Sequence, residues 1–179
     1  GGDLPGDPCF VTASVKSLSG KPLAGATVDV WHADAEGFYD VQNPSWTPAA
    51  TKLRGTFKTD AAGALSFRTI RPCAYPIPTD GPVGEMLNAT DRHPMRPGHI
   101  HFLVEAPGHD RLITHIFVNG DKWLDSDAVF AVRSSCIGDY RYHESGERAP
   151  NGDVQDQPFY TLDYDFVLQP LPTSKGASR

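Results

Sequence analysis

Seven stretches of the chain combine strand length with β-branched or aromatic residues and with alternation between apolar and polar positions. The alternation is clearest in Val28–Trp31 and in Tyr160–Val167. The predicted strands are Phe10–Ser17, Ala26–His32, Leu53–Lys58, Ala64–Arg68, His99–Glu105, Leu112–Val118 and Tyr160–Leu168. Many short strands separated by turn residues are typical of an antiparallel β-sandwich.

The segments between these strands predict turns, one long loop and little helix. Ser19–Pro22 and Asp60–Gly63 have the residues of hairpin turns. Pro82–Thr90 and Asp125–Arg133 each predict a turn or two of helix, so we expect one or two short helices. Arg71–Pro97 is long and rich in proline, and loops of that length in a compact domain are usually functional or disordered.

Composition limits the function classes. The chain has 179 residues, with 16 Lys and Arg against 22 Asp and Glu, a net charge of −6. This length predicts a single domain over residues 1–179. Without a Lys- or Arg-rich run, the chain is not expected to bind nucleic acid or an anionic membrane. Its three widely spaced cysteines favour reduced thiols over a disulfide framework or a cysteine-rich zinc site.

The strongest local chemical signal is the pair His99 and His101 in the sequence Arg-Pro-Gly-His-Ile-His-Phe. Residues i and i+2 of a strand project from the same face, so the two imidazoles point to the same side, and Ile100 and Phe102 point to a core. Such a pair is a common way to hold a metal ion, although two surface histidines explain it about as well.

The residues alone leave the remaining ligands open. A zinc site would need a third histidine. An iron(III) site would favour tyrosine, whose phenolate is a hard donor. The candidates are His93, His109 and His115 for zinc, and Tyr39 and Tyr75 for iron.

Three long strings resemble the intradiol ring-cleaving dioxygenases, in particular the hydroxyquinol and catechol 1,2-dioxygenase branch. They are VDVWHADAEGFYDVQ, LRGTFKTDAAGALSFRTIRPCAYPIPTDGPVGEML and RHPMRPGHIHFLVEAPGHDRLITHIFVNGDKWLDSDAVFAVRSS, within a likeness that runs from Leu4 to Pro170. The resemblance implies that family's β-sandwich, with long loops, and a non-haem Fe(III) held by two tyrosinates and two histidines. Carried over by motif, the ligands are Tyr39, Tyr75, His99 and His101.

The resemblance also implies roles for individual residues. Tyr39 is expected to remain a ligand, whereas Tyr75 accepts a proton from the substrate. Arg96 is expected to stabilise negative charge on the substrate ring, and His115 to orient substrate or oxygen. The remaining expected pocket residues are Asp40, Cys73, Pro76, Ala128 and Val129.

The expected reactants are a small aromatic diol and O2, with hydroxyquinol favoured over catechol and a muconate-type dicarboxylate as product. Members of this branch carry a helical N-terminal domain that pairs two subunits, and no such segment precedes Gly1 here. We therefore expect a catalytic domain alone, as a homodimer or a monomer, in the cytoplasm. Met95 and Gly98 stand where relatives usually have Trp and Ala.

Two other interpretations use parts of the same sequence. The strings GKPLAGATVDV and TDAAGALSFRTI also occur in prealbumin-like β-sandwich modules, which bind other molecules without catalysis. A zinc hydrolase could use His99, His101 and His115. Convergence of Tyr39 and Tyr75 on the two histidines would separate the dioxygenase from both.

Overall fold

The structure is a computed structural model that describes residues 4–172. Its strands are β1 (Pro8–Ser17), β2 (Thr27–Trp31), β3 (Arg54–Lys58), β4 (Ala64–Ile70), β5 (Tyr75–Pro76), β6 (Met95–Arg96), β7 (His99–Glu105), β8 (Leu112–Val118), β9 (Ile137–Gly138), β10 (Arg141–His143) and β11 (Phe159–Leu168). The helix α1 covers Pro82–Ala89. All seven strands predicted from the pattern are present, with bounds shifted by at most two residues.

Two sheets form the sandwich. One has the order β10-β11-β1-β4 and the other β3-β2-β7-β8-β9, while β5 and β6 form a separate two-stranded ribbon. The predicted β-sandwich is confirmed, but β1–β11 and β8–β9 are parallel pairs. Alternation indicates which face of a strand is buried, and it contains no information on the direction of a partner from the far end of the chain.

The core lies between the two sheets and follows the two-residue period of each strand. In β7, Ile100, Phe102 and Val104 are fully buried against the other sheet. The Phe102 ring lies 4.9 Å from that of Phe166 and 6.5 Å from that of Phe67, centroid to centroid. Since these residues face inward, His99 and His101 must lie on the outer face of their sheet.

The connections differ from the prediction in two places. The turns at Ser19–Pro22 and Asp60–Gly63 join strands of different sheets, β1 to β2 and β3 to β4, and are therefore not hairpins. The helix predicted at Pro82–Thr90 is confirmed as α1, whereas Asp125–Arg133 contains only the end of a three-residue 3-10 turn, Leu124–Ser126. Asp127 accounts for the second difference, because its carboxylate binds the amide of Ala131 and stabilises an irregular loop.

Arg71–Pro97 holds the ribbon and α1 and packs over the outer face of the five-stranded sheet. Residues 32–53 form a second long connection, with two 3-10 turns. Among residues 4–172, no helix is both long and apolar enough to cross a bilayer.

Replacing Phe102 by Ala should lower the free energy of unfolding by about 3–5 kcal/mol, because the cavity lies between both sheets. Ile113→Ala on β8 is the control, since that side chain is 56% exposed and should change stability by about 0.5 kcal/mol or less. Urea denaturation followed by circular dichroism measures both. Equal losses in the two variants would contradict the assigned core.

Candidate metal centre

The outer face of the five-stranded sheet carries a row of aromatic and imidazole rings across three strands. His101 on β7 lies opposite Trp31 on β2 and opposite His115 on β8. The Trp31 ring stacks on the His101 ring at 4.9 Å with an interplanar angle of 6°. His99, one strand period away, lies opposite Phe117. The sheet therefore fixes both imidazoles through their neighbours as well as their backbone.

Tyr39 reaches this face from the connection that follows β2. The carboxylate of Asp34 accepts the amides of Glu36 and Phe38 and folds the segment into a tight turn. Gly37 in that turn has φ +91°, and a Cβ added there would lie 2.7 Å from the Cβ of Tyr75. A glycine is therefore required where the two tyrosine segments touch.

His32 anchors the start of the same connection. Its Nδ1 lies 2.7 Å from the carbonyl of Ala33 and its Nε2 lies 2.6 Å from the hydroxyl of Thr69 on β4. A carbonyl can only accept, so Nδ1 carries the proton and Nε2 accepts from Thr69. This contact joins the segment that carries Tyr39 to the four-stranded sheet.

Tyr75 comes from the ribbon, where it pairs with Arg96. Its hydroxyl lies 2.7 Å from that of Tyr39 and 3.3 Å from Nε2 of His99. Nε2 of His101 lies 2.8 Å from the Tyr39 hydroxyl and 3.2 Å from Nε2 of His99. Four donor atoms from three segments, the Tyr39 connection, the ribbon and β7, thus form a closed ring.

These spacings suit a single bound ion. Two atoms bound to one ion at about 2.0–2.1 Å lie about 2.8–3.4 Å apart. The carbonyl of Pro97, 2.7 Å from Nδ1 of His99, fixes the proton on Nδ1 and leaves the Nε2 lone pair facing the other donors. The arrangement therefore gathers lone pairs at one point.

Burial keeps His99, His101 and Tyr39 uncharged. It lowers the pKa of His99 to about 3, with a further contribution from the Arg96 charge. Burial and the neighbouring His99 lower the pKa of His101 to about 2. Burial also raises the pKa of Tyr39 far above its usual value, and the hydrogen bond with Tyr75 adds to the effect. A cation at the centre would reverse this effect on Tyr39, because it stabilises the phenolate directly.

A second set of possible ligands shares two of these residues. Nitrogen atoms of His99, His101 and His115 all lie within 4.8 Å of one another, which is compatible with a metal site. This set is looser than the ring of 2.7–3.3 Å contacts that includes the tyrosines. Burial lowers the pKa of His115 as well, so its imidazole is neutral.

Arg96 lies beside the donors and is buried. Its Nη1 donates to Nε2 of His99 at 3.2 Å. Its Nε and Nη2 face the carboxylate of Asp127 at 3.1 and 3.4 Å. The guanidinium is therefore held between the candidate metal centre and a buried acid.

The predicted pocket residues fall into two groups. His115 lies beside His99 and His101, Pro76 follows Tyr75 directly, and Ala128 donates its amide to the carbonyl of Met95 in the ribbon. Val129 follows Ala128 and is half exposed. Of these four residues, His115 contacts the donor rings directly, and the contact of the other three with substrate stays a prediction.

Asp40 and Cys73 are engaged elsewhere. Asp40 accepts from Arg54 at 2.8 Å and from two backbone amides, and its side chain is 5% exposed. Although burial opposes it, the hydrogen bond from Arg54 lowers the pKa of Asp40. Cys73 donates to the carbonyl of Asp34 at 3.4 Å. Their contact with substrate stays a prediction.

A cleft of about 570 Å³ borders the segment that carries Tyr39. The residues that line this cleft lie between positions 4 and 53 and include His32, Trp46 and Leu53. Of the four donor residues, Tyr39 alone lines it. The cleft therefore meets the four donors only at Tyr39, beside the predicted pocket residue Asp40.

Trp31 and Asp127 are two residues of the site that the sequence did not reveal. Trp31 is the last residue of the alternating stretch Val28–Trp31 and has no motif that marks it as a neighbour of the site. Asp127 was assigned to a helix, and its partner Arg96 is 31 residues away. The strand register and the loop conformation were needed to find these two contacts.

Residues 1–170 match the profile of a dioxygenase family. The chain is 50% identical over 165 residues to the 6-chlorohydroxyquinol 1,2-dioxygenase of Cupriavidus pinatubonensis, covering 92% of this chain and 55% of that protein. The chain belongs to the intradiol dioxygenase family. It is also 45% identical over 166 residues to the hydroxyquinol 1,2-dioxygenase of a Rhizobium species, covering 93% of this chain and 56% of the relative.

Solved structures agree with this family assignment. A catechol 1,2-dioxygenase from Pseudomonas arvilla superposes with a TM-score of 0.87 at 38% identity, covering 99% of this chain and 57% of that one. A hydroxyquinol 1,2-dioxygenase from Pseudomonas putida gives 0.83 at 40% identity, covering 93% of this chain and 57% of that one. This family member thus spans a little over half the length of the relatives it matches.

Stability of this metal-free family member should fall as the pH decreases from about 6.5 to about 4. Burial lowers the pKa of His32 to about 4, below the ordinary value of about 6.5, so in this window the unfolded chain binds a proton that the folded chain does not. The loss from His32 alone is about 3 kcal/mol across the window.

Urea unfolding at several pH values measures this loss, with His32→Gln compared against the parent chain. The variant keeps a polar group but does not titrate, so its stability should depend less steeply on pH. Identical pH dependence in variant and parent would show that His32 is not the buried neutral group described.

Proposed function

We propose that this chain carries the catalytic centre of a non-haem Fe(III) intradiol dioxygenase, which cleaves an aromatic ortho-diol with O2 to a muconate-type dicarboxylate. The closed ring of donor atoms from Tyr39, Tyr75, His99 and His101 is the observation that carries this proposal. Membership of the intradiol family supports it.

The donor set fits Fe(III). Two phenol oxygens become hard anionic ligands on binding, and two neutral imidazoles complete a set of net charge −2, which offsets most of the charge of a trivalent ion. When bound, Fe(III) supplies the Lewis acidity and covalency that make a chelated diol reactive toward O2. The protein supplies position, proton acceptors and a largely water-free surface.

Tyr39 and Tyr75 have different proposed roles, and their surroundings support the difference. The hydroxyl of Tyr39 lies close to both Tyr75 and His101, whereas Tyr75 has a looser 3.3 Å contact with His99. These contacts support Tyr39 as the permanent ligand. Tyr75 Oη accepts a proton from a substrate hydroxyl, and its neighbour Arg96 lies in the same ribbon.

Arg96 and His115 act on the substrate rather than as ligands. Nη1 of Arg96 points toward the donors, which supports a role in stabilising negative charge on the substrate ring. The neutral imidazole of His115, beside His99 and His101, orients substrate or O2. Pro76, Ala128 and Val129 form the adjoining wall, with Asp40 and Cys73 as further proposed contacts.

Hydroxyquinol is the favoured substrate, with catechol as the alternative. Two of the most similar relatives are named for hydroxyquinols, at 50% and 45% identity, and a catechol 1,2-dioxygenase of Candida albicans is 42% identical. The proposed product from hydroxyquinol is 3-hydroxy-cis,cis-muconate. A cytoplasmic location, and assembly as a homodimer or monomer, stay predictions.

The alternatives make different use of the site. A prealbumin-like binding module gives no reason for four lone-pair donors to converge. A zinc hydrolase would use His99, His101 and His115 and leave both tyrosines free. Metal identity and tyrosine ligation therefore separate the three.

The purified chain, loaded with iron under oxidising conditions, should bind about one iron per chain and become wine-red, because tyrosinate bound to Fe(III) gives a visible charge-transfer band. It should consume O2 faster with hydroxyquinol than with catechol. Iron analysis, a visible spectrum and an oxygen electrode on one sample test this. A chain that stays colourless after iron loading would rule out the proposed centre.

Single substitutions test the ligands. His99→Ala should remove iron binding, whereas His109→Ala, in the loop after β7, should leave it unchanged. Tyr75→Phe should keep the fold and alter the visible band and turnover, with Tyr142→Phe as the exposed control. Wild-type spectrum and activity in Tyr75→Phe would contradict its role.

A further inference from the structure

Asp127 is a buried acid outside the predicted site, with a side chain that is 1% exposed. A buried carboxylate is rare unless it is paired, because its transfer from water is costly. Its partner is the guanidinium of Arg96, through contacts of 3.1 Å to Nε and 3.4 Å to Nη2. Arg96 is 6% exposed, so both members of the pair are shielded from water.

The two contacts determine which part of Arg96 faces the candidate metal centre. Arginine is planar and has its donors in fixed directions, so a carboxylate on the Nε and Nη2 side fixes the orientation of the whole group. Nη1 is the nitrogen left over, and it lies 3.2 Å from Nε2 of His99. Without this carboxylate, nothing among these contacts would hold Nη1 toward the donors.

The same carboxylate also shapes the wall beside the donors. It accepts the amide of Ala131 at 2.9 Å, and the carbonyl of Asp127 accepts the amide of Phe130. Phe130 has φ +55°, an uncommon conformation for a bulky residue, which the surrounding contacts must maintain. Ala128 and Val129 lie between Asp127 and the residues that it binds, so these hydrogen bonds also fix their backbone.

We propose that Asp127 is a positioning residue, which orients Arg96 toward the bound substrate. It also fixes the conformation of Ala128 and Val129, which form the proposed wall beside the substrate. This inference rests on the proposed function, since it concerns the action of Arg96 on the diol. Within residues 4–172, the hydrogen bonds of the Asp127 carboxylate go to Arg96 and to backbone amides and none goes to a candidate ligand, so Asp127 acts through Arg96.

Charge balance is a second consequence of the pair. Asp127 offsets the positive charge of Arg96 beside a site proposed to hold a trivalent cation. Arg96 can then donate a directed hydrogen bond from Nη1 with little added repulsion. The ammonium group of lysine cannot bind the carboxylate through two donors in fixed directions. Arg96→Lys should therefore not keep the wild-type kcat/KM.

The test is a double-substitution cycle on the iron-loaded chain, with Asp127→Asn, Arg96→Gln and the double variant. Each single substitution should lower kcat/KM by about 10- to 100-fold. If Asp127 acts through Arg96, the double variant should lie within about threefold of Arg96→Gln alone. Asp125→Asn, an exposed acid two residues away, is the charge-matched control and should leave kcat/KM unchanged.

Binding gives a readout that a general loss of stability would not produce. Catechol is titrated without O2, and its dissociation constant is measured from the visible band. Asp127→Asn and Arg96→Gln should weaken binding by similar factors, while iron content and the band of the substrate-free protein stay as in the wild type. Effects on kcat/KM that multiply in the double variant, or unchanged binding in Asp127→Asn, would overturn the inference.

Two outcomes need separate treatment. If Asp127→Asn unfolds, Asp127→Glu replaces it in the comparison, since it keeps the charge and shifts the carboxylate by one methylene; a wild-type kcat/KM in that folded variant overturns the inference. A wild-type chain that binds no iron overturns the proposed function and the inference with it. A red, active wild type with an unaffected Asp127→Asn overturns the inference alone.

Discussion

Four donor atoms, from Tyr39, Tyr75, His99 and His101, form a ring in which neighbouring atoms are 2.7–3.3 Å apart, and the segments around the site are placed so that these atoms meet. Strand β7 provides two of the donors because its alternate residues fill the core and leave the two imidazoles on the outer face. Residues 32–53 and 71–97 cover that face and each contributes one tyrosine. These contacts bring four possible ligand atoms together, which supports the proposed metal centre.

Charge around the donors is arranged in pairs. Arg96 is the nearest fixed cation, and Asp127 binds it on the side away from His99. Asp40 and Arg54 form a second pair beside the Tyr39 segment. A diol that binds as an anion would meet one directed donor from Arg96, with the remaining charges already satisfied.

Much of the fold could be predicted from the sequence because burial imposes a two-residue period on strands such as β7 and β11. The pairing of His99 with His101 follows from the same period. The period does not encode strand direction, so the parallel β1–β11 pair was unpredictable, and it does not show that Asp60–Gly63 changes sheets. Asp127 was missed because a contact with Arg96 across 31 residues leaves no local pattern.

Tyr39, Tyr75, His99 and His101 are proposed to hold one Fe(III). The most direct measurement is a crystal structure of the iron-loaded chain with anomalous diffraction recorded at the iron absorption edge. We predict a single anomalous peak about 2.0–2.3 Å from all four donor atoms. A peak bound to His99, His101 and His115, with both tyrosine hydroxyls beyond bonding distance, would contradict the account.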